Sequence, residues 1–188
     1  MQDKKRIQVV NLLKEFLTTD VQEKKDVQKI IELVEANENI FVRDCLRAHL
    51  TGSALVINPE TKQILLHNHK KLNKWLQFGG HADGETDLSV VAFKEAEEET
   101  GLSDLYFYSA KPMDIEVQTI PENKGAPEHL HLDFRYLIFT KATEVPTPEE
   151  HESQDLKFFS FEEVYKMSEK LDNALIRLIK KAEKEAVI

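Results

Sequence analysis

Residues 80–102 read GHADGETDLSVVAFKEAEEETGL. The stretch joins a glycine-rich turn to a helix expected over roughly Thr86–Thr100, with Gly101 as its natural C-terminal cap. A helix advances about 100° per residue, which puts Leu88, Val91, Ala92, Glu98, Glu99 and Leu102 within roughly 60° of Glu95. The apolar members of that group mark the side facing the protein body. Three glutamates, Glu95, Glu98 and Glu99, therefore point inward or into a cleft, while Glu97 falls on the opposite side as a surface charge.

The placement is costly. Glu95 and Glu99, four residues apart, repel by about 0.2–0.5 kcal/mol even in the open. Both lie near the helix C-terminus, where the macrodipole is already negative, and partial burial adds to the cost. A bound cation would relieve it. Oxygen-only ligands suit Mg²⁺ or Mn²⁺ and suit neither zinc nor copper. The competing reading is a solvated acidic helix end, since Glu-rich helices are common.

Moving toward the N-terminus, Leu50–Ile57 is a strand-like run, Asn58–Thr61 a turn and Gln63–His67 a second strand. A loop with Lys70, Lys71, Lys74 and Trp75 then leads to Gly79-Gly80. The first fifty residues read as helical, with Ile7, Val10, Leu13 and Leu17, then Val27, Ile30, Ile31 and Val34, at helical spacing. Asp20 with Glu23 has the form of a capping box. The predicted organisation is an N-terminal helical extension over 1–48 and a main domain over 49–188. The extension packs against the main domain, shields its face or supplies a dimer contact. Toward the C-terminus, strands are expected at Asp114–Ile120, Leu130–Thr140 and Leu156–Phe159. Ser160 and Glu163 form a second capping box. Ser168 opens the last helix, with Leu171, Leu175, Leu178 and Ile179 as its apolar stripe. Strands on both sides of one central helix predict an α+β fold, a mixed sheet with helices against it.

The whole chain has 188 residues, 34 acidic and 25 basic, for a net charge of −9. That length buries about 70% of the unfolded surface without disulfide staples. The single cysteine, Cys45, excludes an intramolecular disulfide and a multi-cysteine zinc site. No apolar run approaches the ~20 residues of a membrane span, and the amino terminus lacks the apolar core of a secretory signal. A cytoplasmic setting is expected. Charge is unevenly spread: Asp83–Glu99 carries a net −6, Glu144–Asp155 adds five acids and no base, and the rest sums to +2. The acidic balance disfavours nonspecific nucleic-acid binding, which needs a positive surface.

The spacing Gly80, five residues, Thr86, seven residues, then Lys94-Glu95-Ala96-Glu97-Glu98-Glu99-Thr100-Gly101-Leu102 resembles the signature of the Nudix hydrolase superfamily. That signature is Gly, five residues, Glu, seven residues, then Arg-Glu-aliphatic-x-Glu-Glu-x-Gly-aliphatic. Three positions depart from it. Thr86 stands at the first Glu, where it is able to act as an N-cap. Lys94 replaces an Arg that orients a catalytic Glu, keeping the charge and losing the bidentate fork. Ala96 is smaller than the usual aliphatic residue.

The resemblance implies an α/β/α sandwich and metal-dependent hydrolysis of a diphosphate linked to another moiety, often a nucleoside. It implies Glu98 and Glu99 as main ligands of Mg²⁺ or Mn²⁺, with the Gly80 carbonyl contributing. Glu95 is a further ligand or orients the attacking water. The general base often comes from a later loop in this superfamily, and Glu152, beside Glu149 and Glu150, is the first choice here. The alternative is a non-catalytic ligand sensor on the same scaffold. An isomerase using a cysteine is disfavoured, because Cys45 lies in the helical prelude, and RNA decapping lacks an extended basic surface.

Weaker signals surround the motif. Arg43, Arg47, Lys70, Lys71 and Lys74 make the preceding stretch basic, either to hold phosphate oxygens or only to solubilise. Arg47, Lys74 and His81 are the candidate substrate contacts. His67/His69 and His129/His131 each share a strand face. That spacing binds zinc elsewhere, but no third ligand is evident, and ordinary polar strand positions are the simpler reading. Trp75 is read as a packing residue, and Asp133 and Arg135 as lining a strand's polar face.

Overall fold

The computed structural model describes residues 2–69, 73–122, 125–144 and 153–185. Two helices, α1 (Gln2–Glu15) and α2 (Val21–Ala36), precede β1 (Ala48–Asn58) and β2 (Gln63–His69). Short strands β3 (Lys74–Leu76) and β4 (Phe78–His81) lead into α3 (Leu88–Thr100). Then follow β5 (Tyr106–Phe107), β6 (Asp114–Ile120), β7 (His129–Phe139), β8 (Ser153–Ser160), α4 (Phe161–Lys166) and α5 (Asn173–Glu185).

β1 organises the sheet. It runs parallel to β7 from Ala48↔Leu130 to Ile57↔Phe139. Its other edge is shared: β4 pairs antiparallel with Thr51–Ala54 and β2 with Val56–Asn58. Only Gln77 separates β3, which pairs with β2, from β4, so one run of chain crosses from β2 to β1. The stretch expected as a loop before Gly79 is therefore partly strand. β6 and β5 line the far edge of β7, and β8 that of β2.

All of β1 is buried, because both of its faces are covered. Leu50, Ala54 and Val56 join a core with Leu13, Ile30, Val34, Val91, Ala92 and Ala96 from α1, α2 and α3. Leu55 and Ile57 join a second core with Val164, Leu175, Leu178 and Ile179 from α4 and α5. Each fully buried aliphatic side chain contributes about 1.5–3 kcal/mol. The result is the expected α/β/α sandwich around a mixed sheet. The predicted N-terminal helices are not peripheral, since they share one core with the sheet.

Local chemistry explains the remaining boundaries. Asn58 Oδ1 accepts from Glu60 N and Thr61 N, which closes the β1–β2 turn. Asp20 caps α2 through Glu23 N, but the Glu23 side chain leaves the box. It accepts instead from Ile115 N at 3.0 Å and from Lys181 Nζ at 2.5 Å, joining α2 to β6 and α5. The Ser160/Glu163 box forms in full. Ser168 opens a 3₁₀ turn and not the last helix; Asp172 does that by accepting from Leu175 N at 2.5 Å. Asp87 rather than Thr86 caps α3, accepting from Ser89 N at 3.0 Å, while Glu85 takes the Thr86 and Asp87 N–H groups. Asp is the stronger cap, so the helix starts two residues later than expected.

Candidate active site

The site is built where α3 lies across β1 and β4. Close approach requires glycine at Gly52, where a Cβ would come within 2.5 Å of the Leu88 carbonyl. Opposite it in register is Gly80. A Cβ there would lie 2.3 Å from Glu95 Oε1, so the Glu95 carboxylate fills the space above the Gly80 backbone. One turn on, Glu99 Oε2 accepts from Gly79 N at 3.1 Å. Glu98 forms an exposed pair with Lys94 at 3.5 Å. Glu97, as expected, is exposed, and its carbonyl accepts the Gly101 N–H with Gly101 at φ 67°.

Glu95 and Glu99 thus meet the Gly79–Gly80 strand from successive turns of one helix, while Glu98 points to the exposed side. The three are not equally buried: Glu95 and Glu99 are half-buried and Glu98 is exposed. The inward face inferred from the wheel therefore fades along the last turn. Burial, and then the charge of Glu98, push the Glu95 carboxyl above its usual range. The last turn of α3 carries no basic residue to offset the helix dipole. Glu95 packed over the Gly80 backbone, Glu99 bonded to Gly79 and Glu98 close enough to shift Glu95 offer oxygen donors of the kind that fit a hard divalent cation.

The entry loop is fixed from the N-terminal side. Arg43 donates to both carboxylate oxygens of Asp83, at 2.7 and 2.6 Å, and Gly84 N donates to Phe41 O at 2.8 Å. Asp83 at φ 45° and Gly84 at φ 92° make the turn, where glycine adopts the left-handed conformation without strain. Arg47 is exposed just before β1, its carbonyl accepting from Leu130 N. Lys74 is exposed on β3 opposite His69, on the other part of the sheet. The structure does not gather these two around the carboxylates. Glu149, Glu150 and Glu152, like Lys70 and Lys71, lie outside the described residues. Trp75 packs edge-on against Phe159 at 4.7 Å, as a packing residue should.

His81 goes elsewhere. Neighbouring strand residues face opposite ways, so with Gly80 toward α3, His81 turns to the other face of the sheet. There its ring lies 4.9 Å from His49 and 4.7 Å from His131, and His49 lies 4.9 Å from His129. The reading of His129 and His131 as ordinary strand positions with no third ligand in view is corrected by this grouping. Burial first, and then the neighbouring cations and imidazoles, lower His81 to about 4 and His131 to about 3. The β1–β7 register makes the group: His49 pairs with His131, Thr51 with Asp133 and Ser53 with Arg135. Asp133 accepts from Thr51 Oγ1, Ser53 Oγ and Arg135 Nε, and burial pushes it up to about 6. Asp133 and Arg135 thus line a polar strand face, as expected, and that face is buried.

A family model described as NUDIX domain matches residues 48–181. A protein of Lactococcus lactis subsp. cremoris (strain MG1363) named Probable DHNTP pyrophosphohydrolase is 30% identical over 161 residues, spanning 82% of this chain and 87% of its own. A solved NUDIX-family hydrolase from Clostridium perfringens shares 28% identity at a TM-score of 0.55, over 72% of this chain and 96% of its own. An Ap4A hydrolase from C. elegans, 18% identical with a TM-score of 0.57 over 73% and 97% of the two chains, has the same fold. The motif on α3, the sandwich and a family match over most of the chain agree: this chain belongs to the NUDIX domain family.

Proposed function

We propose that the chain is a divalent-metal-dependent hydrolase that cleaves a diphosphate linkage in a nucleoside diphosphate derivative or a similar small molecule. The observation that carries this reading is the seating of Glu95 and Glu99 against the Gly79–Gly80 strand, with Glu98 beside them. Glu98, Glu99 and the Gly80 carbonyl would hold the cation. Bound there, Mg²⁺ or Mn²⁺ would supply charge neutralisation of the diphosphate oxygens and a more acidic water. Glu95 orients the attacking water or adds a ligand, and Glu152 takes up its proton. Arg47 and Lys74 are the side chains assigned to phosphate oxygens, as exposed charges rather than as part of a preformed pocket. His81, directed away from Glu95, is withdrawn from direct phosphate contact.

The substrate panel joins what the relatives are named for to the classes that the motif leaves open. DHNTP belongs in it because the Lactococcus relative is named for it, beside ADP-ribose, dinucleoside polyphosphates and nucleotide sugars. Incubation with each compound under Mg²⁺ or Mn²⁺ should give phosphate-containing products from one class, and chelator should abolish them. Binding without any product would overturn the enzyme reading in favour of a ligand sensor.

A further inference from the structure

On the face of the sheet opposite α3, four imidazoles converge from three strands: His49 on β1, His81 on β4, and His129 and His131 on β7. His49 is only 4% exposed, and its Nε2 is buried without a hydrogen-bond partner among the described residues. One ring nitrogen from each of His49, His129 and His131 lies within 4.8 Å of the other two. Closer contacts run through His131, whose Nε2 is 3.2 Å from His81 Nε2 and 3.3 Å from His129 Nε2.

Protons cannot satisfy this group. His129 Nδ1 lies 2.8 Å from the Pro127 carbonyl, and His49 Nδ1 lies 3.4 Å from the Cys45 carbonyl. A nitrogen facing a carbonyl must carry the hydrogen, so in each neutral ring Nε2 presents a lone pair. His129 Nε2 faces His131 Nε2, and His49 Nε2 is buried in a ring whose centre lies 4.9 Å from both of theirs. One proton on His131 Nε2 serves at most its two near neighbours and leaves His49 Nε2 unserved. Anchoring Nδ1–H to a backbone carbonyl while Nε2 stays free is how proteins orient metal-binding histidines. Tetrahedral zinc at 2.0–2.1 Å from nitrogen separates its ligand atoms by about 3.3 Å, which matches His131 and His129, while the His49 nitrogen, within 4.8 Å of both, would draw closer on binding.

We propose that His49, His129 and His131 bind one Zn²⁺ ion through their Nε2 atoms, with a fourth tetrahedral position beside His81. The nitrogen-only donor set separates this site chemically from the carboxylates of α3, since imidazole suits zinc and oxygen suits magnesium. The ion would clip the N-terminal ends of the parallel strands β1 and β7 together and would stand on the strand face behind Gly80. This inference does not depend on the hydrolase reading.

The test is zinc itself, titrated against a chromophoric chelator into untagged, chelator-stripped protein in excess Mg²⁺. Wild type and a Glu98→Gln/Glu99→Gln variant should each hold one equivalent. His131→Ala and His129→Gln should weaken binding by more than about 100-fold, beyond the usual cost of losing only a supporting partner. Circular dichroism checks each variant's fold. Cobalt substituted into wild type should give the strong visible absorption of a tetrahedral site, a readout that needs no variant. Zinc held equally tightly by the histidine variants, zinc lost only from the glutamate variant, or a weak octahedral cobalt spectrum would each overturn the site.

Discussion

The two faces of the sheet behind Gly80 are built by opposite means. On the α3 face, Glu95, Glu98 and Glu99 come from one continuous helix, and Gly52 and Gly80 let it approach. On the other face, His49, Thr51 and Ser53 of β1 meet His131, Asp133 and Arg135 of β7, about eighty residues away in sequence. On the first face, the charge of Glu98 works against that of half-buried Glu95. The second is buried, and beyond the imidazoles Asp133 binds Thr51, Ser53 and Arg135. Further along it, Asp114 ties Arg177 of α5 to the sheet, through contacts of 2.8 Å to both carboxylate oxygens, with Lys181 at 3.0 Å. Like charges gathered on one helix mark the face proposed for catalysis, and opposite charges paired across strands and α5 mark the structural one.

That contrast breaks first at Glu98. Glu98→Gln keeps the shape of an exposed residue, so activity should fall by about a thousandfold, roughly 4 kcal/mol of barrier, while the melting temperature holds. A matching loss of stability would mean that the carboxylates are structural after all. The reverse is expected on the far face. Asp114→Asn should cost about 3 kcal/mol of stability by leaving buried cations short of a partner, with turnover of the folded fraction preserved.

The same residue predicts a pH dependence. Burial raises the Asp114 carboxyl, but the Arg177 hydrogen bonds and the Arg135 and Lys181 charges outweigh it, so the net shift is downward. A depressed folded value gives stability that is fully present above the unfolded value near 3.9 and lost as pH falls through the folded one. Chemical denaturation of wild type and Asp114→Asn should therefore show a constant gap above about pH 4 that closes in stronger acid.

A finer test is Gly80→Ala. The three atoms nearest the new methyl all belong to the movable carboxylate end of Glu95, so stability should change by less than about 1 kcal/mol. Turnover should still fall about tenfold or more, because Glu95 is displaced. Smallest of all is Lys94→Met. Its exposed pair with Glu98 should be worth no more than about 1 kcal/mol by urea denaturation.

The same division decided what the sequence made legible. The exposure of Glu97, the Gly101 cap and the C-terminal stripe rest on local periodicity and appear as expected, whereas the inward face fades at Glu98 and the Thr86 and Ser168 starts give way to Asp87 and Asp172. The strand β4 was obscured because its pairing with β1 leaves no alternating pattern across Gly79-Gly80. The imidazole cluster had a visible half, His129 and His131. Its other half depends on the parallel β1–β7 register, which no local spacing encodes. A reading of Leu50–Ile57 that extended the strand back to Ala48 would have put His49 and Thr51 on one face, the single available hint.

The central claim is that the α3 carboxylates against Gly79–Gly80 form a cation-dependent hydrolytic site. Initial rates on the best substrate of the panel, measured against Mg²⁺ concentration for wild type and Glu99→Gln, test it most directly. The account predicts a saturable Mg²⁺ dependence in wild type and a rate at least about a hundredfold lower in the folded variant at every Mg²⁺ concentration. A Glu99→Gln enzyme with wild-type rates, or wild-type turnover indifferent to Mg²⁺, would contradict it.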